Sequence, residues 1–185
     1  MKLNQVTCPW WFLFTFDNPF RRLFQDPEII LGPYLKPGDA AVDIGCGMGY
    51  FTLPLARLVG SSGHVIAVDL QKQMLEGLKK RAAQAGFLEC IRMHQCTQTQ
   101  LGVQGPVDFV LTFWMVHEVR NLQLFLEQIY QMLKRGGQLL ISEPYIHVPE
   151  RDFIQLGKAV ERADFVVDQH PIIWFSRSIL ARKDS

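Results

Sequence analysis

A glycine-rich loop behind a short apolar run is the feature that most constrains the fold of this 185-residue chain. The run Ala40–Ile44 predicts a buried strand, and Gly45, Gly47 and Gly49 follow it at alternating positions. An apolar, helix-like run over 51–59 comes next. Glycine permits positive φ and lets a ligand approach the backbone, and the start of a helix offers unbonded N–H groups. Such a loop holds a nucleotide-like ligand at the first strand-to-helix turn of an open α/β sheet.

Strand-like and helix-like segments alternate along the chain after this loop. Further strands are predicted over 64–68, 91–94, 107–113 and 138–142. Amphipathic segments between them predict helices, so the strands should form a parallel sheet covered on both faces. We expect the helix capped by Asn121 to end at Gly136-Gly137. Two last strands, over 165–168 and 172–179, are joined by a turn so short that they must pair antiparallel.

The loop differs from the dinucleotide-binding fingerprint at one position. That fingerprint needs a small residue where this chain has Tyr50, and an acid at Asp43 would meet a pyrophosphate with negative charge. The spacing Asp-x-Gly-x-Gly-x-Gly resembles motif I of the class I S-adenosylmethionine-dependent methyltransferases, whose cofactor carries a sulfonium and no phosphate. The resemblance implies that S-adenosylmethionine is the cofactor and that the loop binds it through Asp43, Gly45, Cys46, Gly47 and Gly49.

The resemblance extends over about residues 37–182 and implies a fold. This fold is α/β and Rossmann-like: a seven-stranded, mostly parallel sheet with helices on both faces and a C-terminal antiparallel strand pair. The chain is therefore expected to divide into a methyltransferase domain over 37–185 and an N-terminal extension over 1–36. The extension is rich in aromatic residues and is expected to form a lid over the site, or else an interface. Its crowded aromatic residues are Trp10, Trp11, Phe12, Phe14, Phe16 and Phe20.

Acceptors for the adenosine part of the cofactor are expected after the second and third strands. Asp69 closes the second strand, where an acid accepts hydrogen bonds from both ribose hydroxyls, a requirement shared with NAD enzymes. A helix N-cap is the alternative role of Asp69, and the two roles are compatible. Leu70 is expected to cover the adenine. The resembling family often has an Asp after the third strand, and here Cys96 or Thr97 stands in its place.

The segment 107–118 resembles motif IV of the same family. The resemblance implies that Phe113 and Trp114 hold the methionine end of the cofactor, and an aromatic ring facing a sulfonium gains cation–π attraction. His117 follows and is our candidate general base, because histidine titrates near neutral pH. Glu143, after the fifth strand, points either toward the substrate pocket or toward a hydrogen bond with His117. Weaker candidates are Tyr145 and His147.

The amino-acid composition limits the classes of ligand and partner that we expect the chain to bind. The 19 Lys and Arg nearly balance the 18 Asp and Glu, and a net charge of +1 gives no electrostatic footprint for nucleic acid. The four cysteines contain no C-x-x-C, so we expect no metal site, no disulfide framework and a cytoplasmic location. No apolar run approaches the roughly 20 residues of a membrane span. A small, partly apolar methyl acceptor is the expected substrate, and the protein is expected to be a monomer or homodimer.

Two other functions remain compatible with the sequence. A nicotinamide-dependent oxidoreductase would share Asp69, but Tyr50 and the lack of a separate catalytic domain disfavour it. A non-catalytic cofactor-binding module within a complex would keep the fold, although the intact set of Asp43, glycines and Asp69 disfavours this function.

Overall fold

The computed structural model describes residues 21–184, which fall into two compact units, residues 21–96 and residues 97–184. The crowded aromatic residues of the N-terminal extension lie outside the described residues, so the lid and the boundary at residue 36 stay predictions. No helix within the described ranges is long and apolar enough to cross a membrane.

The first unit alternates helices and strands. Its elements are α1 (Arg21–Phe24), α2 (Pro27–Leu31), a 3-10 turn (Gly32–Tyr34), β1 (Ala40–Ile44), α3 (Thr52–Val59), β2 (His64–Asp69), α4 (Lys72–Ala85) and β3 (Ile91–Gln95). The strands hydrogen-bond in the order β3-β2-β1, and both pairs are parallel. All five residues of β1 are buried, as expected of a strand covered on both faces. Because the strands are parallel, the segments that follow them meet at one edge of the sheet.

Helix α4 ends where the sequence indicates. Gly86 adopts the left-handed conformation after α4, with φ of 76°, and its N–H bonds the carbonyls of Ala82 and Ala83. This is the usual glycine cap at a helix C-terminus. The buried face of α4 consists of Met74, Leu75, Leu78 and Ala82, which matches the predicted helical spacing.

The second unit contains the remaining four strands of the described residues. Its elements are β4 (Val107–Phe113), a 3-10 turn (Val116–Glu118), α5 (Leu122–Met132), β5 (Leu133–Pro144), α6 (Glu150–Arg162), β6 (Phe165–Gln169) and β7 (Ser176–Lys183). The order is β4-β5-β7-β6; β4 and β5 are parallel, whereas β7 is antiparallel to both of its neighbours. The predicted antiparallel strand pair at the C-terminus is therefore confirmed.

The end of α5 differs from the prediction. The helix ends at Met132, and the chain is already extended at Leu133, so Gly136-Gly137 lies inside β5 rather than at the helix terminus. The Lys134 ammonium binds both carboxylate oxygens of Asp108 at 2.8 and 2.9 Å, which holds the start of β5 beside β4. Gly136, with φ of 76°, serves an irregularity in the strand instead.

The last strand also begins later than predicted. Residues 172–175 are not part of β7, which starts at Ser176. Phe175 has φ of 62°, and the Ser176 N–H donates to the Ile173 carbonyl at 3.1 Å, so this apolar stretch forms a turn. The apolar run looked like a strand in the sequence because turns rarely consist of such residues.

Two segments of the first unit approach each other closely at Gly63. An alanine Cβ there would lie 2.7 Å from Val59 Cβ and 2.8 Å from the Val59 carbonyl oxygen, and would overlap the Asp39 carbonyl oxygen. Backbone atoms cannot move aside cheaply, so we expect Gly63→Ala to lower the free energy of unfolding by about 1–3 kcal/mol in urea titration. Gly32→Ala is the matched control, because a Cβ at Gly32 meets nothing within 4 Å. Equal stability of the two variants would contradict this account.

Candidate functional site

The glycine loop has the backbone conformation that its sequence predicts. Gly45, Gly47 and Gly49 have φ of 74°, 52° and 91°, a region that other residues rarely adopt. A Cβ on Gly49 would overlap the Leu78 side chain, whereas a Cβ on Gly47 would meet nothing within 4 Å. Gly49 thus serves packing against α4, and Gly47 presents a bare backbone to open space.

Asp69 holds this loop in place. One carboxylate oxygen accepts the Gly47 N–H at 2.9 Å, and the other accepts the Gln71 N–H at 2.8 Å. Burial raises the pKa of Asp69, and the N–H groups that it accepts lower it. Helix α4 has Gln71 as its N-cap, so Asp69 is not the helix cap. The bond from Gly47 joins two features that the sequence suggested separately.

Asp43 lies beneath the loop rather than on its surface. It is 2% exposed, and its carboxyl oxygen accepts the Thr52 hydroxyl at 2.6 Å. Burial raises the pKa of Asp43 to about 7; the Thr52 bond opposes this, and the charge of Asp69 adds to it. Near neutral pH the group therefore carries only part of its negative charge. Sequence reasoning missed Thr52, although its place at the start of α3 was the available signal.

Three candidate residues at the edge after β2 and β3 differ in what they offer. The Leu70 carbonyl accepts the side-chain amide of Gln95 at 3.1 Å. Cys96 is half-buried, and burial together with the charge of Asp69 raises its pKa to about 11, so it remains a neutral thiol. The Thr97 hydroxyl accepts the Gln100 N–H at 3.0 Å and serves its own turn. Cys96 and Leu70 thus lie beside Asp69.

The last residue of β4 and the residue that follows it form an aromatic corner in the second unit. The rings of Phe113 and Trp114 lie 5.5 Å apart, with Phe113 buried and Trp114 half-buried. Trp114 has φ of 59°, an unusual conformation for a bulky residue. Its indole N–H donates to the Ser176 hydroxyl at 2.8 Å, and its backbone N–H donates to the Ser142 carbonyl at 2.7 Å. No sequence signal pointed to this strained backbone.

A buried hydroxyl lies next to that corner. Thr112 is fully buried, and its side-chain oxygen has no hydrogen-bond partner among residues 21–184. Such orphaned groups are uncommon in folded proteins. A buried hydroxyl without a partner lowers the free energy of unfolding, because its hydrogen bonds to water are not replaced.

Glu143 and His117 form a pair. The Glu143 carboxylate is 0% exposed and lies 2.6 Å from Nδ1 of His117. It also accepts the backbone N–H groups of Met115, Val116 and His117 at 3.1, 2.9 and 3.2 Å. Of the two positions predicted for Glu143, the structure has the one bonded to His117. The buried carboxylate therefore fixes both the 3-10 turn and the imidazole that the turn carries.

The Glu143 carboxylate controls the protonation of His117. Burial lowers the pKa of His117, but the hydrogen bond and charge of Glu143, with a smaller contribution from Glu118, raise it to a net value above the ordinary 6.5. Because Nδ1 faces a carboxylate, we assign the ring proton to Nδ1, which leaves the Nε2 lone pair available as a base. The ring of His147 lies 5.4 Å away, centroid to centroid, and Tyr145 is half exposed nearby in the chain.

No group of three or more potential metal ligands occurs within the described part of the chain. The candidate residues form one group around the glycine loop of the first unit. In the second unit they form an aromatic group and a His–Glu pair.

Comparison with known proteins identifies relatives of most of this sequence. The model of a family described as "Methyltransferase domain" matches residues 35–169. A demethylmenaquinone methyltransferase from Symbiobacterium thermophilum is 31% identical over 150 residues, which cover 80% of this chain and 57% of that protein. A carboxy-S-adenosyl-L-methionine synthase from Hydrogenovibrio crunogenus is 32% identical over 131 residues, covering 69% of this chain and 50% of that protein. The chain thus spans about half the length of these curated relatives.

A solved structure has the same architecture. A SAM dependent methyltransferase from Aquifex aeolicus superposes with a TM-score of 0.86 at 23% identity, covering 95% of this chain and 98% of that chain. At this identity the likeness shows the fold, and it confirms the predicted Rossmann-like, seven-stranded class.

Glu143→Gln tests the electrostatic control of His117. The variant keeps the shape of the side chain but removes its charge, so burial should dominate and the pKa of His117 should fall below 6.5. In the parent protein the raised pKa contributes stability that is fully present below the unfolded pKa and is lost as pH rises through the folded one. NMR titration of the His117 ring protons measures the shift. Glu118→Gln, the control, should lower the pKa less, and an unchanged pKa in Glu143→Gln would contradict the assignment.

Proposed function

We propose that this chain, which belongs to the methyltransferase domain family, transfers a methyl group from S-adenosylmethionine to a small, partly apolar acceptor. The observation that carries this proposal is the hydrogen bond from Gly47 to Asp69, at 2.9 Å. It places a carboxylate acceptor beside a bare glycine backbone, the combination that a nucleoside needs.

The residues of the first unit fit this cofactor. Each carboxylate oxygen of Asp69 accepts one backbone N–H and has further lone-pair capacity for a ribose hydroxyl. The open space above Gly47 admits a ligand close to the backbone. The partly charged carboxyl of Asp43 favours a cationic ligand over a phosphate. Leu70 and Cys96 offer an apolar surface for adenine, and Phe113 and Trp114 remain our proposed contacts to the sulfonium.

His117 supplies the proton transfer in this proposal. S-adenosylmethionine, when bound, would supply an electrophilic methyl group, because its sulfonium sulfur leaves readily as a neutral thioether. An acceptor that arrives protonated must lose its proton, and Nε2 of neutral His117 takes it. The proton then resides on an imidazolium that the buried Glu143 carboxylate stabilises at Nδ1. Glu143 is therefore a positioning residue, and the remaining catalysis comes from orientation and the exclusion of water.

We further propose a cytoplasmic location and a monomer or homodimer. Cys46, Cys90 and Cys96 are unpaired thiols, which supports a reducing compartment.

Asp69→Ala tests cofactor binding by calorimetric titration. Losing the carboxylate removes charge-assisted bonds to the ribose, so affinity for S-adenosylmethionine should fall about 10- to 100-fold. Asp39→Ala is the control, because Asp39 is also a buried acid, 7% exposed, that accepts a backbone N–H, from Lys36. It should bind the cofactor with nearly the parent affinity.

Titration of the unmodified protein with S-adenosylmethionine and with NADH distinguishes the two candidate cofactors. Binding of NADH in place of S-adenosylmethionine would overturn the proposal and favour an oxidoreductase. Equal losses in both variants would show that Asp69 acts through general stability.

His117→Gln tests the base. With an acceptor found by screening phenols, thiols and amines for S-adenosylhomocysteine formation, kcat should fall about 10²- to 10⁴-fold while cofactor affinity stays unchanged. The rate of the parent should rise with pH through the raised pKa of His117, because only the neutral imidazole accepts a proton. The variant should lose this dependence.

His170→Gln is the control for that experiment. His170 lies in the same unit, and its Nδ1 is 3.0 Å from the Ser178 carbonyl oxygen. It should keep both rate and pH profile. An unchanged pH profile in His117→Gln would remove His117 from the mechanism, and a bound cofactor with no turnover on any acceptor would favour a non-catalytic module.

A further inference from the structure

Two neighbouring turns of the second unit, residues 145–148 and 172–175, expose large apolar side chains. Ile146 is 91% exposed and Ile172 is 99% exposed, so both side chains project into solvent. Tyr145, next to Ile146, is 51% exposed. Exposed apolar patches on a folded protein mark interaction sites. We call these two turns together the apolar tip.

Backbone and side-chain contacts hold the two turns against each other. The Tyr145 N–H donates to the Phe175 carbonyl at 3.1 Å. The guanidinium carbon of Arg177 lies 4.7 Å from the centroid of the Tyr145 ring, and its Nη1 donates to the Val148 carbonyl at 2.9 Å. Both contacts join the turn after β5 to the chain around the start of β7. The tip is therefore ordered before it meets a partner, and binding costs little conformational entropy.

Two consecutive isoleucines in the second turn have opposite environments. Ile173 is 4% exposed and forms an isolated bridge with Ser176, whereas Ile172 is almost fully exposed. The buried Ile173 anchors the turn, so the conformation of the turn does not depend on packing of the Ile172 side chain. Substitution of Ile172 should therefore leave the fold intact.

The charge beside the apolar tip is positive. Neither turn contains an acidic residue, and Arg177 is the next charged residue after the second turn. The register partner of Arg177 is Glu143, but that carboxylate accepts backbone N–H groups of the neighbouring 3-10 turn and contacts His117. Glu150, two residues after the first turn, is followed by Arg151, which has the opposite charge. The cation at Arg177 is therefore not matched by an acid within the tip.

A lipid surface matches this combination of shape and charge. The core of a protein–protein interface is closely packed and needs a partner of complementary shape, whereas a fluid bilayer accepts projecting side chains of any outline. Membrane-surface anchors combine apolar side chains with aromatic residues at the headgroup level and cations that attract anionic lipids. Ile146 and Ile172 supply the first group, Tyr145 the second and Arg177 the third.

We propose that the apolar tip inserts Ile146 and Ile172 into the surface of an anionic lipid bilayer, with Arg177 at the level of the headgroups. This inference does not depend on the proposed function. The first turn also contains His147, whose ring centroid lies 5.4 Å from that of His117. Contact through the tip thus brings the His117–Glu143 pair close to the membrane surface.

Flotation of the purified protein with lipid vesicles tests this inference. The parent protein should bind vesicles of phosphatidylcholine mixed with phosphatidylglycerol more tightly than vesicles of phosphatidylcholine alone. Added salt should weaken the binding, because it screens the attraction to anionic headgroups. The double variant Ile146→Ser/Ile172→Ser should bind the mixed vesicles about 10- to 100-fold more weakly, because two apolar side chains no longer move from water into lipid.

Two controls separate insertion of the tip from general hydrophobicity and from misfolding. Ile29→Ser makes the same chemical change in α2 of the first unit, at a side chain that is 77% exposed, and should bind as the parent does. Ile146→Leu/Ile172→Leu keeps the apolar area and should retain the binding. Because these isoleucines are exposed, urea titration should give every variant nearly the stability of the parent.

The inference would be overturned by any of four results. The parent does not bind the mixed vesicles, or the double serine variant binds them as tightly as the parent, which would assign the lipid contact to another part of the chain. Ile29→Ser weakens binding as much as the double serine variant does. In sedimentation without lipid, the parent is a dimer that the double serine variant dissociates, and vesicles are not bound; this result would assign the tip to contact with a second copy of the chain.

Discussion

The hydrogen bond from Gly47 to Asp69 holds together two segments that lie 22 residues apart in the chain. A loop with three glycines at positive φ has many accessible conformations, and ordering it costs entropy. A buried carboxylate that accepts the central N–H offsets part of that cost. Parallel pairing of β1 with β2 makes the bond possible, because it brings the ends of both strands to one edge. The proposed nucleoside site therefore depends on this contact and on the strand register behind it.

The second unit is also ordered by a buried carboxylate that accepts backbone N–H groups. Glu143 accepts three backbone N–H groups and faces the imidazole of His117, so one buried acid orders a turn and sets the charge state of its histidine. In both units a carboxyl group is removed from water, and hydrogen-bond donors of the protein replace the lost hydration. Each carboxylate is costly by itself and useful because several donors converge on it. The proposed function thus assigns a chemical role to acids that also order the backbone around them.

Sequence patterns predicted much of this arrangement, for physical reasons. The apolar run of β4 and the glycine after α4 gave correct boundaries because burial and the left-handed cap act locally. The predicted end of α5 was wrong because Leu133 already pairs with Val107 of β4, and a contact between such distant residues does not show in the local pattern. The contact of Glu143 with His117 was one of two alternatives, since sequence does not show where a side chain points. The stacking of the Arg21 guanidinium on the Tyr50 ring gave no signal, because it joins residues that are distant in the sequence.

The left-handed backbone at Trp114 bears on how such a protein can be made more heat-resistant. A bulky residue at φ of 59° carries a conformational cost of roughly 1–3 kcal/mol. Glycine or asparagine would relieve that backbone cost, which by itself would raise the melting temperature. The same exchange would remove the indole that donates to Ser176 and closes the aromatic corner. At position 114 heat resistance and the proposed function therefore compete, and selection for heat resistance alone would remove the aromatic corner first.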